Sequence, residues 1–264
     1  MLETLIDLLR PYSFRGKARL INRFVPRSGL RDATVSGFRM RLDLSEHIQR
    51  MVYLGAYERW ETRQVRRLLR PGMTFVDIGA NVGYFSLLAA SLVGAKGRVF
   101  AVEPSPYAVV RLRRTIADNG LESRILLEAV GLGSEKGSTK LFDADPSNHT
   151  PAMFGADDAA SSTVPIATLD DLVDQWGARQ IDLLKIDVEG YEPKVFAGAK
   201  RTLAERKLKA ILCEFNGLWL AQGGSSSADL YRRLLEAGFR DSDGRAATPS
   251  EVHVENRLLI LKDS

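Results

Sequence analysis

The run Phe75-Val76-Asp77-Ile78-Gly79-Ala80-Asn81-Val82-Gly83-Tyr84-Phe85 reads as a buried strand that breaks into a glycine turn and opens a helix. Such a turn lets backbone N–H groups approach a nucleotide closely. Glycines stand at 79 and 83 with Asn81 between, whereas a dinucleotide fingerprint would need glycine at 79, 81 and 84. Asn81 and Tyr84 break that pattern. Glu103 follows the apolar run Val99-Phe100-Ala101-Val102, about 20 residues past the turn, where a carboxylate can accept hydrogen bonds from both ribose hydroxyls. A solvent-facing strand-end acid is the plainer alternative. Lys185, Asp187 and Glu189 are spaced by two, so an extended chain puts them on one face and Ile186 and Val188 on the other. Charges on a strand covered on both sides must pair or meet a cleft. Lys185 is placed to partner Asp187 and keep it ionised, with Glu189 and Gly190 emerging at a cleft rim; a purely structural ion pair is the other reading. Glu214, beside Asn216, closes a fourth apolar run.

These residues need strand ends to hold them. Strands are expected at Thr74 to Ile78, Arg98 to Glu103, Ile125 to Val130, Asp182 to Val188 and Lys209 to Phe215. Helices are expected between them at Tyr84 to Val93, Pro106 to Asn119, Leu169 to Trp176 and Val195 to Glu205, with Pro104 starting the second. Alternation of this kind implies an α/β fold: a doubly wound Rossmann-like sheet, mostly parallel. Ala228 to Ala237 reads as a last helix, and Glu251-Val252-His253 with Leu258 to Leu261 as a closing antiparallel hairpin. Upstream, Thr34 to Asp43 alternates about Gly37 as a β-ribbon does, and Ser45 to Leu54 and Tyr57 to Leu69 read as helices. Residues 1–56 therefore form a basic helical and ribbon extension, and 57–264 the main domain. Between Asp143 and Ser162 the alternation stops in a run with Pro146, Pro151, Gly155 and His149, expected to be a substrate lid or a surface insertion.

The pattern D-x-G-x-N-x-G resembles motif I of S-adenosylmethionine-dependent class I methyltransferases. With Val102-Glu103-Pro104, Thr168-Leu169-Asp170-Asp171-Leu172, Lys185-Ile186-Asp187-Val188-Glu189-Gly190-Tyr191-Glu192 and Glu214, the chain resembles the FkbM-type methyltransferases over about residues 50–215, Tyr57-Glu58 included. The resemblance implies methyl transfer from S-adenosylmethionine, mostly to hydroxyl oxygens of sugars, polyketides and other secondary metabolites. It assigns Glu58, Asp77, Gly79, Asn81, Gly83, Glu103, Pro104, Ala129 and Asp187 to the cofactor. Gly79 and Gly83 permit close backbone approach. Asn81 is suited to the methionine carboxylate or to bracing the turn, and Asp77 to the ammonium group or to organising the loop. Glu128-Ala129-Val130 ends the third strand where adenine would lie.

A sulfonium methyl is already electrophilic, so the protein chiefly aligns an in-line displacement. An alcohol is a poor nucleophile whose proton a positioned base must take. The candidates are Asp187, Glu189, Glu214 and His149, the first two foremost; no ligand spacing demands a metal. Two other classes stay open: a nicotinamide-dependent oxidoreductase, for which the fingerprint is missing, and a non-catalytic S-adenosylmethionine-binding or scaffold protein of a membrane-associated glycan or secondary-metabolite pathway.

The 264 residues carry 45% hydrophobic and 27% charged side chains, ordinary globular usage. Cys213, the only cysteine, lies in an apolar run, so disulfide and thiolate-metal scaffolds are excluded. Net charge is +4, but residues 1–70 hold 15 Arg or Lys against 7 Asp or Glu. Leu2, Leu5, Ile6, Leu8 and Leu9 precede several of those cations at helical spacing, as in a helix docked on its own core, on a twin subunit in a homodimer, or peripherally on a membrane. The basic residues follow no nucleic-acid motif, so a small-molecule or glycan hydroxyl is the expected acceptor and nucleic acid is not. No signal peptide or spanning stretch is visible, and a cytoplasmic or membrane-peripheral location is expected.

Overall fold

The computed structural model describes residues 25–145, 150–152, 161–245 and 247–262. It starts with an antiparallel ribbon, β1 (Leu30–Val35) and β2 (Phe38–Asp43), turned at Ser36 and Gly37, both with positive φ as a two-residue hairpin requires. Helices α1 (His47–Tyr53) and α2 (Arg59–Leu68) follow. The core then alternates β3 (Thr74–Ile78), α3 (Tyr84–Val93), β4 (Arg98–Val102), α4 (Pro106–Asp118) and β5 (Ile125–Glu128). Past a β-rich insertion come α5 (Leu169–Trp176), β10 (Leu183–Ile186), α6 (Glu192–Ala197), α7 (Lys200–Ala204), β11 (Ala210–Phe215), α8 (Gly217–Gln222), α9 (Ser227–Glu236), β12 (Phe239–Asp241) and β13 (Glu255–Leu261).

One seven-stranded sheet runs β12-β13-β11-β10-β3-β4-β5. The five strands from β11 to β5 are parallel, and β13 joins β11 antiparallel. Strand order reverses between β3 and β10, and in an open parallel sheet the crevice outside the strands' carboxyl ends at that point is where ligands bind. Each face is sealed by its own apolar core. Phe75, Val99, Leu183 and Leu212 face the helices α2 and α3 and share their core with Leu42, Val52 and Leu54 of the N-terminal elements. Val76, Phe100, Leu184 and Ile211 face the other way, towards Leu172, Phe196 and Leu230.

Four expectations are corrected. Within 143–162 the described residues, 143–145, 150–152 and 161–162, lie in strands where the sequence suggested none. β7 (Gly137–Asp145), β8 (Thr150–Ala152) and β9 (Ser161–Ala167) form, with the short β6 (Gly131–Leu132), a second sheet ordered β6-β9-β7-β8. Pro146, Pro151 and Pro165 hide these strands from a sequence pattern, because proline demotes a strand reading. Residues 251–253 are not a strand: Ser250 Oγ accepts the N–H groups of Val252 and His253, while the Glu251 carboxylate accepts those of Ser227 and Ala228 at the start of α9. The hairpin partner of β13 is β12. The helix expected over 195–205 breaks at Gly198, whose N–H ends α6 on Lys194 O and Val195 O and whose Cα lies against the Gly133 carbonyl. Pro104 precedes α4 instead of starting it; Ser105 is the N-cap and Pro106 the first helical residue.

Candidate active site

Gly79 leaves β3 with φ +79, and its N–H and that of Ala80 both donate to Val102 O on the neighbouring strand. A Cβ at this position would fall on the Asp187 carbonyl oxygen. The close approach read from the sequence as room for a ligand is therefore made by the protein's own chain, and it locks the β3 turn to the loop after β10. That loop is braced from inside: buried Glu192 accepts the Val188 N–H at 3.0 Å, and Gly190, φ +87, lets the chain pass the Trp219 backbone. β10 stops at Ile186, two residues before the expected end, so Asp187 and Glu189 stand in the loop and not on the strand.

Glu103, 2% exposed, clasps the facing side. Its Oε2 accepts the Asn81 N–H at 2.7 Å and its Oε1 the Ser105 N–H at 2.8 Å, so both oxygens are fixed while each keeps capacity to accept a second donor. Burial raises its carboxyl to about 7, against the pull of those two N–H groups. Asn81, Glu189 and Glu58 all hold positive φ, at 48°, 50° and 34°; three of the five such non-glycine residues among those described sit at this one place. Strain of this kind persists only where the surroundings over-determine it, and it clusters at functional sites.

Beneath the loops lies a charge cluster. Lys185 Nζ is 3.0 Å from Asp187 Oδ2, 3.8 Å from Glu58 Oε2 and 4.9 Å from the Phe85 ring centre, and is 4% exposed. Burial alone would lower its pKa, but Asp187, Glu58 and Asp77 raise it above the ordinary range, so it is an ammonium. Asp77, next to it in register, accepts the Ser86 hydroxyl at 2.6 Å and so ties the strand to the first turn of α3; its Oδ1 is buried without a partner. Burial, then Asp187 and Glu192, lift Glu189 to about 8. Glu214 is raised further by burial and by Asp187, Glu189 and Glu192, and its Oε2 too is buried without a partner. Glu58 is raised by burial against the opposing pull of Lys185. Asp77, Glu58, Asp187, Glu189 and Glu214 thus share the field of a single ammonium among the described residues.

The cleft enclosed by these loops holds about 730 Å³, its open mouth included. Gly79, Asn81, Glu103, Pro104, Asp187 and Glu189 line it. Gly83 caps α3 behind the wall, and Glu58, Asp77 and Glu214 stand behind it as the acid cluster. Ala129 is exposed and off the lining; Val130, Gly131 and Leu132 take its place, and Glu128 is drawn away by the Trp176 indole N–H at 3.0 Å. His149 lies outside the described residues. Sequence reasoning did not foresee Ile48 of α1, Leu141 of β7 or the rings of Tyr57 and Tyr191 in this wall. Of these, Tyr57 and Tyr191 gave a signal, as members of the Tyr57-Glu58 pair and of the block that runs from Lys185 to Glu192. No group of three or more His, Cys, Asp or Glu among the described residues is arranged to hold a metal ion.

A doubly wound sheet with an adjacent pair of features, a fixed buried carboxylate on one strand end and an acid cluster with one cation on another, suits a nucleoside whose other end carries positive charge. S-adenosylmethionine is such a molecule, a sulfonium and an ammonium outweighing one carboxylate. Fold and site define a Rossmann-like S-adenosylmethionine-dependent methyltransferase. The sequence profile described as "Methyltransferase FkbM domain" matches residues 77–240, and the chain belongs to the FkbM methyltransferase family. It is 29% identical over 178 residues to the 2-O-methyltransferase NoeI of Sinorhizobium fredii, covering 61% of this chain and 71% of that protein. A 51-residue stretch is 47% identical to ribosomal RNA large subunit methyltransferase E of Alkalilimnicola ehrlichii, 19% of this chain and 24% of that one. Among solved structures, Aeropyrum pernix fibrillarin with natively bound S-adenosyl-L-methionine aligns over 89% of this chain and 84% of its own, at 13% identity and a TM-score of 0.45.

Proposed function

We propose that the enzyme methylates a hydroxyl oxygen of a sugar, glycolipid or related secondary metabolite, with Glu189 as the base that takes the hydroxyl proton. The observation that carries this reading is the lining position of Glu189 together with its raised pKa of about 8. A carboxylate is an effective general base when its pKa lies near ambient pH. Asp187, the other leading candidate, is already engaged in an ion pair with Lys185 at 3.0 Å. The name of the relative NoeI, a 2-O-methyltransferase, supports oxygen as the atom methylated.

The residues divide the work. Glu103 holds the ribose hydroxyls, and the acids around Lys185 present a negative field to the sulfonium end. Bound there, S-adenosylmethionine supplies the electrophilic methyl group. Leu132, Leu141, Tyr191 and Ile48 give the cleft an apolar flank that excludes water from the transfer. Glu189→Gln is expected to keep S-adenosylhomocysteine binding within about threefold and to lose about 10²- to 10⁴-fold in turnover. The assay is transfer of an isotopically labelled methyl group into a cell extract, with linkage analysis of labelled products. Label in methyl ethers supports the reading; label only on nitrogen or carbon overturns it, and full turnover by Glu189→Gln removes Glu189 as the base.

A further inference from the structure

The helix that leads away from the cleft carries charge that methyl transfer does not use. Arg59, Arg63 and Arg66 stand at intervals of four and three on α2, so they stack in one stripe with Arg67 alongside, and Arg70 follows just past the helix end. All five are exposed, while Glu61, Gln64 and Val65 turn inward and are buried. From Arg59 to Arg67 the stripe is about 12 Å long at 1.5 Å per residue. Arg70 donates to the carbonyls of Arg66 and Leu69 at the end of the helix, where a cation suits the dipole. Arg59, Arg63, Arg66 and Arg67 have no carboxylate within ion-pair distance among the described residues.

The patch continues past the helix. The Gly72 N–H donates to Val93 O and the Arg98 N–H to Met73 O, which brings the end of α3 and the start of β4 against the turn after α2, with Lys96 and Arg98 both exposed. Between residues 59 and 98 the only acids are Glu61 and Asp77, both buried. Like charges at such spacing destabilise the helix that bears them. Among the described residues no carboxylate pairs with Arg59, Arg63, Arg66 or Arg67, which leaves their charge available to an external anion.

We propose that this arginine stripe docks the enzyme on an anionic lipid surface, with phosphate head groups as the ligand. Among the described residues the stripe presents no exposed aromatic ring on which a base could stack; Trp60, the aromatic residue of α2, is half-buried. Docked along α2, the enzyme lies with Tyr57, which lines the cleft wall just ahead of that helix, beside the lipid surface. That orientation suits an acceptor presented from the membrane.

The test is co-sedimentation of the full chain with vesicles of phosphatidylcholine alone and of phosphatidylcholine mixed with phosphatidylglycerol. The wild type is expected to bind only the anionic vesicles and to release them near 1 M salt, where the screening length falls to about 3 Å. The triple variant Arg63→Gln/Arg66→Gln/Arg67→Gln is expected to lose on the order of a hundredfold in partition, at about one decade or slightly less per charge, with melting temperature and S-adenosylhomocysteine binding retained. If that variant melts early, Lys96→Gln/Arg98→Gln carries the test, with an expected loss of about tenfold or more. The proposal is overturned by equal vesicle binding of wild type and variants, by wild type that ignores anionic vesicles, or by tighter binding to single-stranded RNA than to vesicles.

Discussion

Replacing Glu103 with glutamine separates two roles that the structure gives this side chain. The native carboxylate accepts two buried N–H groups, at 2.7 and 2.8 Å. Glutamine offers one acceptor oxygen, so one of those amides faces an NH₂ group, at a cost of about 1 to 3 kcal/mol. An opposing effect has similar size. The folded pKa of about 7 lies above the ordinary 4.5, so the ionised group destabilises the fold progressively as pH rises from about 4.5 to 7, by on the order of 3 kcal/mol above that window. Glutamine carries no such charge. At pH 8 the two effects nearly cancel, and the unliganded protein is expected to melt within about 5 °C of wild type. Cofactor affinity has no such compensation, because charge-assisted hydrogen bonds to the ribose hydroxyls are worth about 1.5 to 3 kcal/mol. Calorimetric titration with S-adenosylhomocysteine at pH 8 is expected to show the dissociation constant rising about ten- to hundredfold. Unchanged affinity together with a large drop in melting temperature would refute the ribose assignment and leave Glu103 a loop clasp only.

Because Glu103 and Glu189 take up protons near 7 and 8, affinity for S-adenosylmethionine is expected to rise with pH through that window and level off above it; calorimetry from pH 6 to about 9 checks this, and a flat profile contradicts it. Over the same range the unliganded protein is expected to lose thermal stability as pH climbs from about 5 to 8, since both folded pKa values lie above the ordinary value, and saturating cofactor is expected to suppress the loss. Lys185→Met leaves Glu58, Asp77 and Asp187 without their cation, at a cost of about 3 to 5 kcal/mol, read as a melting temperature lower by roughly 6 to 20 °C at pH 8 and by less at pH 5; equal melting at both would show that the cluster is not an ionised network. Gly79→Ala drives a methyl group into the Asp187 carbonyl at φ +79 and is expected to abolish cofactor binding even where circular dichroism shows a folded chain.

The sheet was legible because buried parallel strands are continuous apolar runs. Phe75 to Ile78 and Ile211 to Phe215 announce themselves, and their carboxyl ends carry the glycine turn and Glu214. Glu103, Asp187 and Glu189 were legible for the same reason, as acids at the ends of such runs. What stayed hidden depends on contacts between distant segments. The second sheet pairs residues 137–142 with 161–166, and a proline in the second of these runs masks its strand character. Leu141 enters the cleft from that sheet and Ile48 from α1, and neither has a local pattern pointing there. Ala129 was misplaced by one residue because β5 ends at Glu128, and strand ends are the least certain part of a periodicity reading. The meaning of Gly79 also changed: it admits the backbone at 187, and that approach is what sets the β3 turn beside the acids.

The most direct test of the account is a crystal structure with S-adenosylhomocysteine. It is expected to place both ribose hydroxyls within hydrogen-bond distance of the Glu103 carboxylate, adenine beside Val130 to Leu132, and the sulfur end towards Asp187 and Glu189. A ribose held elsewhere, or a sulfur end directed away from those acids, would contradict it.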